Sequence, residues 1–378
     1  MSTQDHLPCH ECGLPHRLPD LPRGAAAYCR RCGALLRKRR GDPWQRTLPL
    51  ALAALPLIPV IVLLPFVGLN IGGQQVQTWM FSGPIALRRD GLWELAGLVL
   101  ATSFLIPVVK LLCLVFVLVG LRLKRPPRAV VPLFHTVGHL GPWAMVEVFL
   151  LGLIVAYTKL AGMAQVEIGP AAWAVVALMV LMAAVDTSLD QEAVWQAIDE
   201  RGLAPPPAHR PPDPASLERT WALLIAAAVL YVPANLYPIM RYTSLGKETP
   251  ATIMEGVVEL ADGDTWPLAV LVFFASITVP TLKLIGMAYM LIATGRGSRS
   301  RLRDRARLYR IVEFVGRWSM IDVFMISILV SLVNMGALIT IAPGIGAVAF
   351  AAVVILTMLA ALAFDPRLMW HNAQERGR

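Results

Sequence analysis

Charged residues are scarce in this sequence. Asp, Glu, Lys and Arg make up 16% of its 378 residues, against about a quarter in a soluble globular domain, while hydrophobic residues reach 56%. That balance excludes an ordinary soluble fold and predicts an integral membrane protein. Also missing is an apolar h-region with a small-residue cleavage site near the start. The first forty-odd residues are polar and cysteine-bearing, so the reading expects a folded cytoplasmic segment there rather than a signal peptide. There is no P-loop, and no nucleophile and base stand at a convincing spacing, so neither a nucleotide-driven pump nor an enzyme is expected.

What is abundant is long apolar sequence. A spanning helix needs roughly 20 predominantly apolar residues. Eight runs qualify: Leu48 to Gly68, Leu92 to Leu121, Leu140 to Leu160, Ile168 to Val185, Trp221 to Ile239, Trp266 to Ala293, Met320 to Ile341 and Ile345 to Phe364. Cytoplasmic loops carry an excess of Lys and Arg. With the N-terminus inside, the clusters at Arg37 to Arg46, Arg122 to Arg128 and Arg296 to Arg310 all face the cytoplasm, and both termini lie there. The net charge of +9 is thus gathered beside membrane ends, which points to anionic lipid headgroups as its partner rather than nucleic acid. Trp93, Trp143, Trp266 and Trp318 fall near span ends and read as an aromatic belt.

The chain also aligns with itself. "SFLIPVVKLL" (residues 103–112) answers "SITVPTLKLI" (276–285), and "GPWAMVEVF" (141–149) answers "GRWSMIDVF" (316–324). Each copy holds four spans, so both enter from the same side and the repeat is parallel rather than inverted. The expected architecture is all-α: eight transmembrane helices as two parallel four-helix repeats behind a small cytoplasmic ribbon. The units are residues 1–40, a first membrane domain 41–189, a linker 190–216 and a second membrane domain 217–378. The linker's "APPPAHRPPDP" reads as stiff and extended.

Cys9, Cys12, Cys29 and Cys32 form two C-x2-C knuckles at zinc-site spacing. Four thiolates close a tetrahedral shell, so the one ion should be structural zinc. The glycine after each knuckle suits a turn with positive φ. Disulfides fit a cytoplasmic segment poorly. With four cysteines on the metal, His10 and His16 are expected to face solvent, and Cys113 to be a small core residue.

The most unusual residues are the buried charges. Lys110 lies roughly 16 Å from the cytoplasmic end of the second span, and Glu147 and Asp322 roughly 9 to 12 Å inside theirs. A charge at such depth costs at least about 2.5 to 3.5 kcal/mol, so it faces the protein interior and has a partner. Each lysine, Lys110 and Lys283, is therefore expected to meet Glu147 or Asp322. Pro107 and Pro280 should kink their helices and free the carbonyls of Ser103 and Ser276. Ser276, Ser319 and Thr357 extend the polar set in the second copy. Two readings stay open: acid and base simply neutralise each other in the bundle, or they form a proton relay or gate. Asp186 and Asp365, at span ends, are expected to be solvated boundary residues.

Together these residues resemble the paraquat-inducible protein A family of bacterial inner-membrane proteins. The resemblance rests on the N-terminal cysteine ribbon, the duplicated four-helix domain, and the paired S-x3-P-x2-K-L and W-[SA]-M-[IV]-[DE]-V-F motifs. It implies an inner-membrane subunit that hands phospholipid to, or takes it from, a periplasmic MCE-domain (mammalian cell entry) tunnel protein between inner and outer membranes. It also implies a polar network important for transport at Ser276, Lys283, Ser319, Asp322 and Thr357, with Glu147 and Lys110 as first-copy counterparts. Relatives commonly carry a second ribbon between the membrane domains, and the linker here has no cysteine. The rival readings are a proton-coupled small-molecule exporter and a non-transporting membrane scaffold.

Overall fold

A computed structural model describes residues 7–17, 21–22, 24–40, 42–71, 74–161, 165–203, 211–244, 247–262, 266–333 and 339–375. Much of the Pro-rich linker, residues 204–210, lies outside this set. Two hairpins open the chain: β1 (Leu7–Pro8) pairs with β2 (Pro15–His16), and β3 (Ala26–Tyr28) with β4 (Leu35–Lys38), both antiparallel.

The first membrane half runs α1 (Thr47–Ala54), α2 (Leu57–Leu63), β5 (Val67–Ile71), β6 (Gln74–Thr78), α3 (Ser82–Arg89), α4 (Trp93–Leu100) and α5 (Ile106–Gly120). It continues with α6 (Val130–Leu140), α7 (Val146–Ala161), β7 (Gln165–Ile168), α8 (Pro170–Ser188) and α9 (Gln191–Glu200). From Ala215 a similar order is found: α10 (Ala215–Leu236), β8 (Met240–Ser244), β9 (Lys247–Ala251), α11 (Ile253–Ala261), α12 (Trp266–Phe273) and α13 (Val279–Gly295). Then come α14 (Leu302–Gly316), α15 (Ile321–Val333), β10 (Ile339–Pro343), α16 (Ile345–Ala363) and α17 (Arg367–Glu375).

Among the described residues, seven helices are long and apolar enough to cross a membrane: Trp93–Gly120, Val130–Thr158, Pro170–Ser188, Ala215–Leu236, Ala269–Gly295, Leu302–Leu332 and Ile345–Ala363. The protein is a multi-pass membrane protein. The expected first span, Leu48 to Gly68, is different. Its helical part is the shorter stretch Thr47–Leu63, interrupted between α1 and α2 at Leu55 and Pro56, and β5 claims Val67 and Gly68. Pro56 has no N–H to continue the ladder, which accounts for the break. In the expected span Met320 to Ile341 the described helix runs to Val333, residues 334–338 lie outside the described set, and Ile339 enters a strand.

Three-stranded antiparallel sheets gather the loops at the end opposite the cysteine hairpins. Their orders are β6-β5-β7 and β9-β8-β10. These strands use loop sequence between spans, where backbone donors would otherwise lack partners near the membrane surface. The two ends are called the ribbon side and the sheet side below.

The proline-bearing helices are not simply kinked. Between α4 and α5, residues Ala101–Leu105 form a π-turn, and Phe274–Thr278 do the same between α12 and α13. Ile106 N–H donates to Ala101 O, and Val279 N–H to Phe274 O, five residues back in each case. The wider turn makes room for the ring of Pro107 or Pro280, which would clash with the carbonyl four residues earlier in a regular helix. Of the loosened carbonyls, Thr102 O accepts from Met145 N–H at 3.2 Å, tying the second span to the break between α6 and α7.

At the centre lies α15. Every residue from Ile321 to Val330 is buried, and the span containing it is 82% buried, twice the share of most others, so α15 is shielded from lipid by the protein itself. It packs on α3 and α7 of the first half. Small residues permit the close approach: a Cβ on Gly152 would sit 2.8 Å from Phe324 Cβ, and one on Gly83 would meet Ser327 Oγ at 2.4 Å. The core is therefore continuous across both halves.

The start of the linker is helical rather than extended. Asp190 caps α9 by accepting from Ala193 N–H at 3.2 Å, and Val194 and Ile198 are fully buried beside Trp195, which meets Phe134 and His135 edge-to-face. The apolar residues at 194, 195 and 198 form one helical stripe, which the Pro-rich stretch after them obscures in composition.

Candidate metal centre and buried lysines

The two hairpins bring the four cysteines together. Their sulfurs all lie within 4.8 Å of one another, and all four residues are buried. Tetrahedral coordination at about 2.3 Å places sulfurs about 3.8 Å apart, so the cluster fits a four-thiolate ion without rearrangement of the chain. Cys9 Sγ lies 3.5 Å from Cys32 Sγ, and Cys12 Sγ 3.5 Å from Cys29 Sγ. Gly13 and Gly33 have φ of +71° and +75°, the left-handed turn that each knuckle needs. Hydrogen bonding from Cys12 holds the Cys9 thiol down at about 4, whereas burial pushes Cys32 up to about 12. Cys12 is raised too, because it gives its hydrogen bond to Cys9. His16 does not simply face solvent: its Nε2 stands 3.2 Å from Cys29 Sγ.

The ribbon is fastened to the second half. Arg303 donates to the carbonyls of Arg30 (2.6 Å) and Arg31 (2.7 Å), and Arg310 to those of Cys32 (3.0 Å) and Gly33 (3.1 Å). Arg310 Nε also lies 3.5 Å from Glu11 Oε1, and Arg31 sits 4.4 Å over the Trp370 ring. Further arginines expected to face lipid headgroups bind backbone instead. Arg299 donates to Ala373 O, buried Arg305 to the carbonyls of Ser298 and Ser300, and Arg40 to those of Asp186 and Leu189 at the end of α8. The reason is local: exposed helix ends and knuckle turns offer orphan carbonyls, and a guanidinium satisfies two at once.

Both buried lysines open on one space. A cavity of about 450 Å³ between the halves, on the ribbon side, is lined by Lys110 and Asp186 from the first and by Lys283, Arg310 and Gly316 from the second. Lys110 Nζ donates to Asp186 Oδ1 (2.7 Å) and Oδ2 (2.8 Å). Lys283, 2% exposed, donates to Thr357 Oγ1 at 2.9 Å. Gly316 leaves room for that ammonium, since a Cβ there would stand 3.2 Å from it. Asp322, 3% exposed, lines a separate small cavity toward the sheet side, with Ile239, Met240, Ile253 and Met325.

Comparison with known proteins follows the same outline. The family described as Paraquat-inducible protein A matches residues 44–199 and 217–374. Intermembrane transport protein PqiA of Escherichia coli (strain K12) is 35% identical, over 98% of this chain and 96% of its own length. Lipophilic envelope-spanning tunnel protein A of the same strain is 30% identical, over 99% of this chain and 92% of its own. The probable intermembrane transport protein of Haemophilus influenzae is 28% identical, over 96% and 95%. The chain belongs to the paraquat-inducible protein A family. No solved structure matches it.

Within this member of the family, the polar residues singled out in the sequence fall in several places. Lys283 and Thr357 touch directly. Ser276, which was expected to join them, turns its hydroxyl back to Val272 O at 2.7 Å, as Ser103 does to Val99 O at 2.6 Å. Ser319 is buried in the 3-10 turn Arg317–Met320 before α15 and Asp322 in the first turn of α15, and the hydrogen bond of Lys283 goes to Thr357 rather than Asp322. Glu147 is exposed in the first turn of α7, so it is not the partner of Lys110. That role belongs to Asp186, expected to be only a boundary residue. Lysine's flexible stem reaches along the open cavity to the end of α8, the snorkelling that depth alone made improbable. The signal was present in the sequence as an acid near the end of the fourth span, but its level relative to Lys110 depends on helix packing.

Proposed function

We propose that the protein is the inner-membrane subunit of a system that moves phospholipid between the inner and outer membranes, working with a periplasmic MCE-domain protein. The observation that carries this reading is the full-length similarity to relatives named for intermembrane transport and for an envelope-spanning tunnel. In the proposed topology Thr47–Leu63 completes an eighth span, the chain is two parallel four-helix copies, and both termini are cytoplasmic beside the Arg-rich loops. The ribbon holds one structural zinc, which braces the cytoplasmic face of the second copy. The domain units are residues 1–40, 41–189, 190–216 and 217–378.

Transport is driven by protons through the second copy. Asp322, buried in the central helix, takes up and gives back a proton, because a carboxylate withdrawn from water holds charge only where its surroundings balance it. Lys283 with Thr357, and the π-turn at Ser276 above them, form the second station, and changes of charge shift the helix pair α13 and α15. Lys110 and Asp186 neutralise each other and brace the first copy. The central placement of α15, buried from Ile321 to Val330, supports a central moving element rather than a passive anchor.

Replacing Asp322 with Asn keeps shape and removes the titrating proton. In vesicles carrying the protein and its tunnel partner, Asp322→Asn should lower phospholipid transfer at least tenfold while the purified variant elutes and unfolds like the parent. Undiminished transfer would rule out the proton station. A proton-coupled exporter would instead give saturable flux of a small cation without any tunnel partner, and a scaffold would show normal transfer with altered assembly.

A further inference from the structure

The proposed mechanism assigns nothing to the cavity that Lys283 faces. That cavity holds about 450 Å³, within the range of small-molecule sites. Its two lysines are treated differently. Lys110 is held by both oxygens of Asp186, so its charge is balanced where it stands. Lys283 is 2% exposed, and among the described residues its ammonium meets one acceptor, the neutral hydroxyl of Thr357, whose own proton goes to Val354 O at 3.0 Å. An ammonium has three donors. The position in α16 that corresponds to Asp186 in α8 is Ala361, and the acid just beyond that helix, Asp365, is taken by Arg367 at 2.8 Å.

The other charges at the cavity do not cancel Lys283. Arg310 lines it as a further cation and reaches Glu11 of the ribbon with its Nε. Glu313 lines it from an exposed position on α14, where water screens its charge. Val312, Phe314 and Leu362 give the space an apolar wall.

We propose that this cavity binds a phosphate-bearing anion, with Lys283 as its central cation and Arg310 beside it. Phosphate oxygens supply several strong acceptors for the two remaining ammonium donors, and a charge-assisted hydrogen bond between a buried ammonium and an anion is stronger than the one it makes to a neutral hydroxyl. The source is either a lipid headgroup, its chains along the apolar wall, or a free phosphate from the ribbon side. The inference stands on the cavity and not on the transport reading: a tunnel partner could be absent and the anion still bind, or the reverse.

The test uses the full chain purified in detergent and two probes, inorganic phosphate and dihexanoyl phosphatidylglycerol, with dissociation constants from calorimetry. At least one probe should bind saturably. Lys283→Met should weaken it at least tenfold, and Asp186→Asn, which releases Lys110 into the same space, should strengthen it severalfold. Should Lys283→Met fail to fold, Gly316→Val, which places a side chain against the ammonium, should weaken binding in its stead. Binding of phosphate and lipid alike supports a site for the free anion; binding of the lipid alone supports a headgroup site. The proposal is overturned if neither probe binds the folded parent, if folded Lys283→Met binds as the parent does, or if folded Asp186→Asn binds no tighter.

Discussion

Lys110 and Lys283 occupy corresponding positions in two similar stretches of sequence, yet their surroundings differ by a single kind of group. Asp186 gives the first a full counter-charge, and Thr357 gives the second only a hydroxyl. A charge at membrane depth costs at least about 2.5 to 3.5 kcal/mol, so the first pair is affordable as structure and the second demands a purpose. The cysteine cluster makes a separate prediction at this scale. Cys12 and Cys32 are pushed above the ordinary thiol range and so hold protons in the metal-free ribbon at neutral pH. Zinc must displace those protons, and displacement is easier where protons are fewer, so affinity should rise between about pH 6 and about pH 8. Competition with a chromophoric chelator measures this; an affinity that does not change over that interval contradicts the thiol assignment. The cysteine cluster was legible in the sequence because C-x2-C-G is a local turn whose geometry the residues themselves dictate. The partner of Lys110 was not, because it stands 76 residues away and its level is set by how α8 packs.

Among the elements, proline signalled where the helices deviate but not how. Pro107 and Pro280 mark the positions correctly, while the π-turns that accommodate them depend on a backbone shift of one residue, and the carbonyl this loosens at Thr102 finds Met145 on another helix. The six strands of the sheet side carry little apolar alternation and were not legible beside spans of far stronger signal. The break in Thr47–Leu63 was, in hindsight, written at Pro56. Contact between the halves runs through glycines of α3 and α7 against α15, which yields a contrast. Gly152→Val forces a side chain into Phe324 and should destabilise by about 1 to 3 kcal/mol, the usual penalty of overpacking. Gly256→Ala, on α11 with nothing within 4 Å of its added Cβ, should leave thermal unfolding in detergent unchanged or slightly higher. Equal shifts for the two would argue against a close-packed contact at Gly152.

At the scale of the whole molecule, the ribbon is part of the second half rather than a free appendage. The four cysteines share one hydrophobic cluster with Met287, Leu291, Phe364 and Trp370, and the arginines of α14 bridge knuckle to membrane helix. Arg310 touches the ribbon and lines the cavity with Lys283, so cysteine cluster and buried ammonium lie on one connected path. Membrane character was readable from hydropathy. The convergence of both lysines on one cavity was not, because it arises only when the two halves pack around α15. The proposed role of this assembly is phospholipid transfer with a tunnel partner. Gentle isolation of the protein from its native membrane, followed by mass spectrometry of what accompanies it, tests that most directly. The account predicts an MCE-domain protein together with bound phospholipid; recovery of the chain alone and lipid-free, under conditions that keep other envelope complexes intact, would contradict it.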